Sequence, residues 1–279
     1  MTKLLPKIKI HPVFWLVIAA GTLTGHLWGT VMAFVIVLIH ELGHALTARL
    51  FGWNVLEIEL LPFGGVAKID ERETHPFYQE CLVLIAGPLQ NVWLPLLSYA
   101  LLNFPFWGMN EHNLFFMQNN ALLLFNLLPI WPLDGGRLTH VLMEMVYPYK
   151  LAYRRALCFS AIALGLFGVI SLLLYPFSIN SWIIFSFILV AIYKEWRVIP
   201  LRFIRFLLAL SSGKQRFVRL KKLSVPGEML LTEVFAMYYK NADHRLRIIG
   251  EPKSELDGIG LVRDYFKGDC EAATIRECL

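Results

Sequence analysis

Six stretches of this 279-residue sequence, at roughly 12–27, 29–50, 77–103, 113–133, 156–175 and 180–197, approach the ~20 mostly apolar residues that a helix needs to cross a bilayer. Composition points the same way, with 57% hydrophobic residues, 17% charged residues and a mean hydropathy of +0.55. The chain reads as an integral membrane protein. That excludes a secreted disulfide scaffold, a disordered chain and a cytosolic enzyme with one large core. Charge is uneven: residues 214–279 hold 12 of the 26 Lys and Arg and 10 of the 21 Asp and Glu, which marks a soluble tail behind a membrane domain. Cys81, Cys158, Cys270 and Cys278 show no paired spacing, so thiol redox and zinc-finger readings have no starting point.

The connections alternate in basic charge. The N-terminal segment carries Lys3, Lys7 and Lys9; the second loop carries Arg49, Lys68 and Arg72; the fourth carries Arg137, Lys150, Arg154 and Arg155; the odd-numbered loops carry none. Cytoplasmic loops hold the excess of Lys and Arg, so both termini and the even loops are expected in the cytoplasm. Membrane orientation also accounts for the net charge of +5 without nucleic acid as a direct partner. Lys3, Lys7 and Lys9 ahead of an apolar run resemble the start of a signal peptide, but Ala19, Ala20 and Gly21 make a poor cleavage site. The stretch 138–150 is amphipathic and is expected to lie on the surface.

Between the second and third spans, Trp53 to Ile69 alternates apolar residues against Glu57 and Glu59 and breaks at Pro62-Phe63-Gly64-Gly65. This pattern predicts a β-hairpin, too polar to span and so placed at the interface or in a cavity. It reads either as a surface loop or as an edge strand to which an extended peptide adds.

Within the second span the sequence runs His40-Glu41-Leu42-Gly43-His44. Residues four apart share a helix face, so His40 and His44 can direct two imidazole nitrogens at one metal ion with Glu41 beside them. Each ionisable group in a span costs about 3 kcal/mol even on the lenient insertion scale, so three within five residues demand a compensating partner. The alternative is a buried polar cluster that only hydrogen-bonds between helices. Catalytic zinc takes three protein ligands, and Asp134 is the candidate third, in Asn126-Leu127-Leu128-Pro129-Ile130-Trp131-Pro132-Leu133-Asp134-Gly135-Gly136-Arg137. Pro129 and Pro132 interrupt the helix, and Gly135-Gly136 permit a close backbone approach. A helix cap or an ion pair with Arg137 would also account for Asp134. Intramembrane His and Asp also line ion pathways, so a zinc or other metal-ion transporter is the rival reading.

The two motifs together, HELGH in one span and NLLPIWPLDGGR in a later one, resemble the site-2 protease family of intramembrane zinc metalloproteases over about residues 11–200. The size, six-span layout and tail are most similar to its sporulation branch. The resemblance implies one zinc ion held by His40, His44 and Asp134, with Glu41 as the catalytic acid and base. It matches the family's third-span segment to Ala86-Gly87-Pro88-Leu89-Gln90-Asn91 and its membrane-dipping loop to Pro62, Phe63, Gly64 and Gly65. Asn91, Asn126, Phe63, Gly64, Gly65 and Pro132 are the expected substrate-binding residues; Gly87-Pro88 also reads as a simple packing kink.

The expected architecture is mainly α: about six transmembrane helices with a membrane-dipping hairpin (residues 1–200), a basic linker (201–213) and a small α/β cytoplasmic domain (214–279). In the tail, Phe217–Val225 and Leu246–Gly250 read as strands and Glu228–Asn241 as a helix, with further structure over Leu256–Phe266. The resemblance implies a CBS-like regulatory domain there with an adenine nucleotide, ATP, as its ligand; the alternative is a docking or homo-oligomerisation module that binds no ligand. It further implies a membrane-associated pro-sigma factor as substrate, inhibitory or scaffolding membrane proteins as partners alongside lipid, and a place in the mother-cell membrane around the forespore.

Overall fold

The computed structural model describes residues 7–10, 12–61, 64–69, 75–174, 179–212, 219–250, 255–268 and 274–278. The chain divides into two compact units: residues 1–71, 78–128 and 133–135 form the first, and residues 72–77, 129–132 and 136–279 the second.

The first unit begins with β1 (Lys7–Ile10), α1 (Pro12–Leu23) and α2 (Leu27–Leu50). The hairpin β2 (Val55–Leu61) and β3 (Gly64–Ile69) follows, then α3 (Phe77–Ala100) and α4 (Met109–Leu127). The expected hairpin is present. β2 pairs antiparallel with β3, Leu61 opposite Gly64 and Leu60 opposite Gly65, and β1 adds to β2 in parallel, giving the order β1-β2-β3. Pro62 and Phe63 lie outside the described residues.

Two apolar clusters hold the unit's helices together. Met32 and Ile36 of α2 pack with Leu94, Trp107 and Phe115; Ala45 and Ala48 pack with Trp53, Val55 and Val83. Small residues let α2 and α3 come close: a Cβ on Gly43 would stand 2.6 Å from the Ala86 carbonyl oxygen.

The second unit holds most of α5 (Asp134–Val146), then α6 (Tyr149–Leu174), α7 (Ile179–Ser211) and the tail elements β4 (Arg219–Val225), α8 (Leu231–Ala236), β5 (Ala242–Ile248), β6 (Glu255–Asp257) and α9 (Gly258–Lys267). β5 lies between β4, its parallel partner, and β6, its antiparallel one. The tail helix expected over 228–241 is confined to 231–236. Tyr239 N–H donates to His244 Nε2 at 2.8 Å, and Asn241 takes a left-handed φ of 57°, which turns the chain into β5 sooner than expected. The stretch 201–213, expected as a linker, is helical to Ser211. Its Phe206, Leu207 and Leu210 are buried with Val225, Phe235, Tyr238 and Leu246, so α7 supplies part of the tail's core.

Among the described residues, three helices are long and apolar enough to cross a membrane: Leu27–Leu50, Phe77–Asn103 and Tyr149–Leu174. The first expected span is realised as a 12-residue helix, about 18 Å long at 1.5 Å per residue. The fourth ends at Leu127 instead of 133, because the chain leaves the helix before Pro129 and Pro132.

Within the second unit the tail is tied to α5 by a buried ion pair, Lys240 Nζ to Glu144 Oε2 at 2.8 Å. Burial, with the Lys240 charge second, pushes His75 down to about 4, so near neutral pH that imidazole is uncharged. Asn241 Nδ2 also donates to the His75 carbonyl at 2.9 Å, and Tyr149 N–H to the Tyr238 carbonyl at 2.9 Å. Removing one member of a buried pair leaves the other charge uncompensated. Lys240→Met is therefore expected to lower unfolding stability by about 3 kcal/mol, with most of the loss recovered when Glu144→Gln is added. Calorimetry on the full chain in detergent checks this; equal, additive losses from the two changes would show that the pair is not coupled.

Candidate metal centre

α2 carries the first half of the site. Its helical spacing stacks His40 and His44 on one face, with ring centroids 4.9 Å apart and planes at 80°. The second half comes from the chain reversal after α4. A side chain on Gly135 would collide with the carbonyl oxygens of Leu127 and Leu128, so glycine allows the start of α5 to fold against the end of α4. Asp134 opens α5, where the helix N-terminus favours a carboxylate.

These elements bring three donor atoms together. Asp134 Oδ2 lies 3.0 Å from His40 Nε2 and 3.3 Å from His44 Nε2, and the two Nε2 atoms are 3.2 Å apart. The other nitrogen of each ring faces an oxygen: His44 Nδ1 is 2.7 Å from the Val83 carbonyl, and His40 Nδ1 is 2.7 Å from Asn91 Oδ1. With their protons on Nδ1, neutral imidazoles present two lone pairs to each other and to a carboxylate. No placement of protons on neutral rings makes all three contacts attractive, whereas one divalent cation does. The separations also suit a small tetrahedral ion: bonds of 2.0–2.1 Å place two donors roughly 3.3 Å apart. The donor set of two imidazoles and one carboxylate is a catalytic zinc set that leaves a fourth position for water.

Of the expected residues, His40, His44 and Asp134 converge. Glu41 is buried beside them, at 8% exposure, and its carboxylate makes no hydrogen bond to a described residue. Asn126 stands at the rim, its Nδ2 3.4 Å from His40 Nε2. Asn91 turns its amide oxygen to His40 instead of to open space. Gly64 and Gly65 open β3, while Phe63 lies outside the described residues. Pro132 follows Trp131 through a cis peptide, in a loop held by the Trp131 N–H donating to Ser160 Oγ at 3.1 Å. Asn119, fully buried and bonded to Asn91, was not among the expected residues. The polar run Gln118-Asn119-Asn120 in an apolar helix was its only signal.

The family model of peptidase family M50 matches residues 28–112 and 108–170, across both halves of this site. The chain belongs to the M50 peptidase family. It is 36% identical to stage IV sporulation protein FB of Bacillus subtilis, over 99% of this chain and 97% of that protein. A zinc metalloprotease of Methanocaldococcus jannaschii is 30% identical over 56% of this chain and 47% of its own length. Among solved structures, the site-2 protease from M. jannaschii superposes with a TM-score of 0.51 and 27% identity, covering 70% of this chain and 93% of that one. The protein is thus an intramembrane zinc metalloprotease of the site-2 type.

Gly87 of α3 has a specific part in this M50 site. A Cβ there would overlap the His44 imidazole, so this glycine gives the ring its room and is more than a packing kink. Gly87→Ala is expected to displace His44 and reduce zinc occupancy at least tenfold, although alanine favours the helix. Metal analysis of the purified variant checks this; full occupancy would show that α3 yields instead.

Proposed function

We propose that His40, His44 and Asp134 hold the zinc ion and that Glu41 is the catalytic acid and base of a peptide hydrolysis carried out within or near the bilayer. The supporting observation is the convergence of three lone-pair donors beside a buried carboxylate, that of Glu41, which makes no hydrogen bond among the described residues. When bound, zinc supplies Lewis-acid polarisation of the scissile carbonyl and acidification of a water molecule. Glu41 takes the proton from the attacking water and delivers it to the leaving amine nitrogen. Asn126, through its amide N–H, is placed to steady a substrate carbonyl at the rim of the cluster.

A peptide bond inside a helix is already hydrogen-bonded, so the substrate must be extended. Strand addition to the β2–β3 sheet provides that form. β1 covers the outer side of β2, and the outer side of β3 pairs with no described residue, so β3 is the edge we assign to the substrate. Gly64 and Gly65, at the start of that edge, let another backbone approach closely.

The likeness to the sporulation protein over nearly the full chain supports a membrane-associated pro-sigma factor as the substrate. It supports in the same way a six-span protein with cytoplasmic termini, resident in the mother-cell membrane and restrained by partner membrane proteins. The order β4-α8-β5-β6-α9 supports reading the tail as a CBS-like module.

Co-expression with a tagged pro-sigma factor tests the assignment of roles. Glu41→Gln is expected to retain zinc and to cut at least 10²-fold more slowly than wild type. Cleavage by the variant at the wild-type rate would remove Glu41 from the reaction.

A further inference from the structure

The three helices around the metal cluster carry a chain of hydrogen bonds that begins at a proline. In a helix the carbonyl of residue i accepts from the N–H of residue i+4, and four residues after Asn91 stands Pro95, which has no N–H. The Asn91 carbonyl, deep inside the unit, is therefore left without its helical donor. Asn119 of α4 fills the gap: its Nδ2 donates to that carbonyl at 2.8 Å.

Each later bond then has one possible sense. A backbone carbonyl only accepts, so the Asn119 atom facing it is the amide nitrogen, and the other Asn119 atom is the oxygen. That oxygen accepts from Asn91 Nδ2 at 3.0 Å, which fixes the Asn91 amide in turn. Asn91 Oδ1 is then the atom 2.7 Å from His40 Nδ1, so the proton of His40 sits on Nδ1 and its lone pair on Nε2. Asn91 and Asn119 are both buried, at 1% and 0% exposure, so water cannot supply the alternatives. His44 reaches the same tautomer in one step, because its Nδ1 faces the Val83 carbonyl directly.

We propose that Pro95, Asn119 and Asn91 form a relay that fixes the tautomer of His40, making both asparagines positioning residues for a metal ligand and removing Asn91 from the substrate-binding set. The inference rests on the metal-binding reading of His40, His44 and Asp134. Without Asn119, the Asn91 amide is free to rotate and present its N–H₂ to His40 Nδ1. The imidazole proton then moves to Nε2, where it blocks the metal.

The test uses the purified full chain with Asn119→Leu and Asn119→Ala, the first filling the volume and the second leaving space. Zinc affinity is read by chelator competition, and tautomers by ¹⁵N-histidine NMR after zinc is stripped. Both variants are expected to bind zinc 10–100-fold more weakly. In both, His40 should populate two tautomers while His44 keeps its proton on Nδ1. Loss of order at both rings would reduce Asn119 to a packing residue and overturn the relay. So would unchanged zinc affinity with a raised KM for the pro-protein, which would return the asparagines to the substrate. Failure of the wild-type chain to bind zinc would instead overturn the metal reading itself.

Discussion

Two imidazole lone pairs and a carboxylate, held about 3 Å apart inside an apolar helix bundle, are tolerable only around a cation. Much of the first unit follows from that requirement. α2 has to be long enough to carry His40 and His44 to the interior, and α3 has to come close enough for the Val83 carbonyl and the Asn91 amide to reach the far side of each ring. Gly43 and Gly87 make that approach possible on either side of His44. The reversal at the end of α4 exists to return a carboxylate to the same point, and Gly135 lets it close.

Features that look like defects in a helical sequence are therefore parts of the site. Pro95 removes a backbone donor and so leaves a carbonyl for Asn119; Gly87 forgoes a side chain and so admits an imidazole. Both would weaken an isolated helix, and both lie where α3 faces the His40 and His44 cluster. The second unit shows a different economy. Its tail has a small core of its own, completed by α7, and Lys240 and Asn241 secure it to α5 and to the segment before α3.

The parts of this arrangement legible in the sequence were those written locally. His40, Glu41 and His44 declare themselves by helical spacing in an apolar run, and Asp134 by the Pro and Gly residues that break the helix around it. The hairpin was legible from alternation and its Pro-Phe-Gly-Gly break. Lys7–Ile10 were not, because four residues with alternating lysines read as a membrane flank until β2 supplies a partner. The sixth span reads as ending near 197 with a linker behind it, yet burial of Phe206, Leu207 and Leu210 carries the helix on to Ser211. Asn119 was the least legible, since its role depends on a carbonyl freed 28 residues earlier on another helix.

Zinc-edge X-ray absorption on the purified full chain tests the centre most directly. The arrangement predicts one zinc per chain with imidazole and oxygen ligands at about 2.0–2.1 Å. A sulfur shell at about 2.3 Å, or a protein that takes up no zinc, would contradict it.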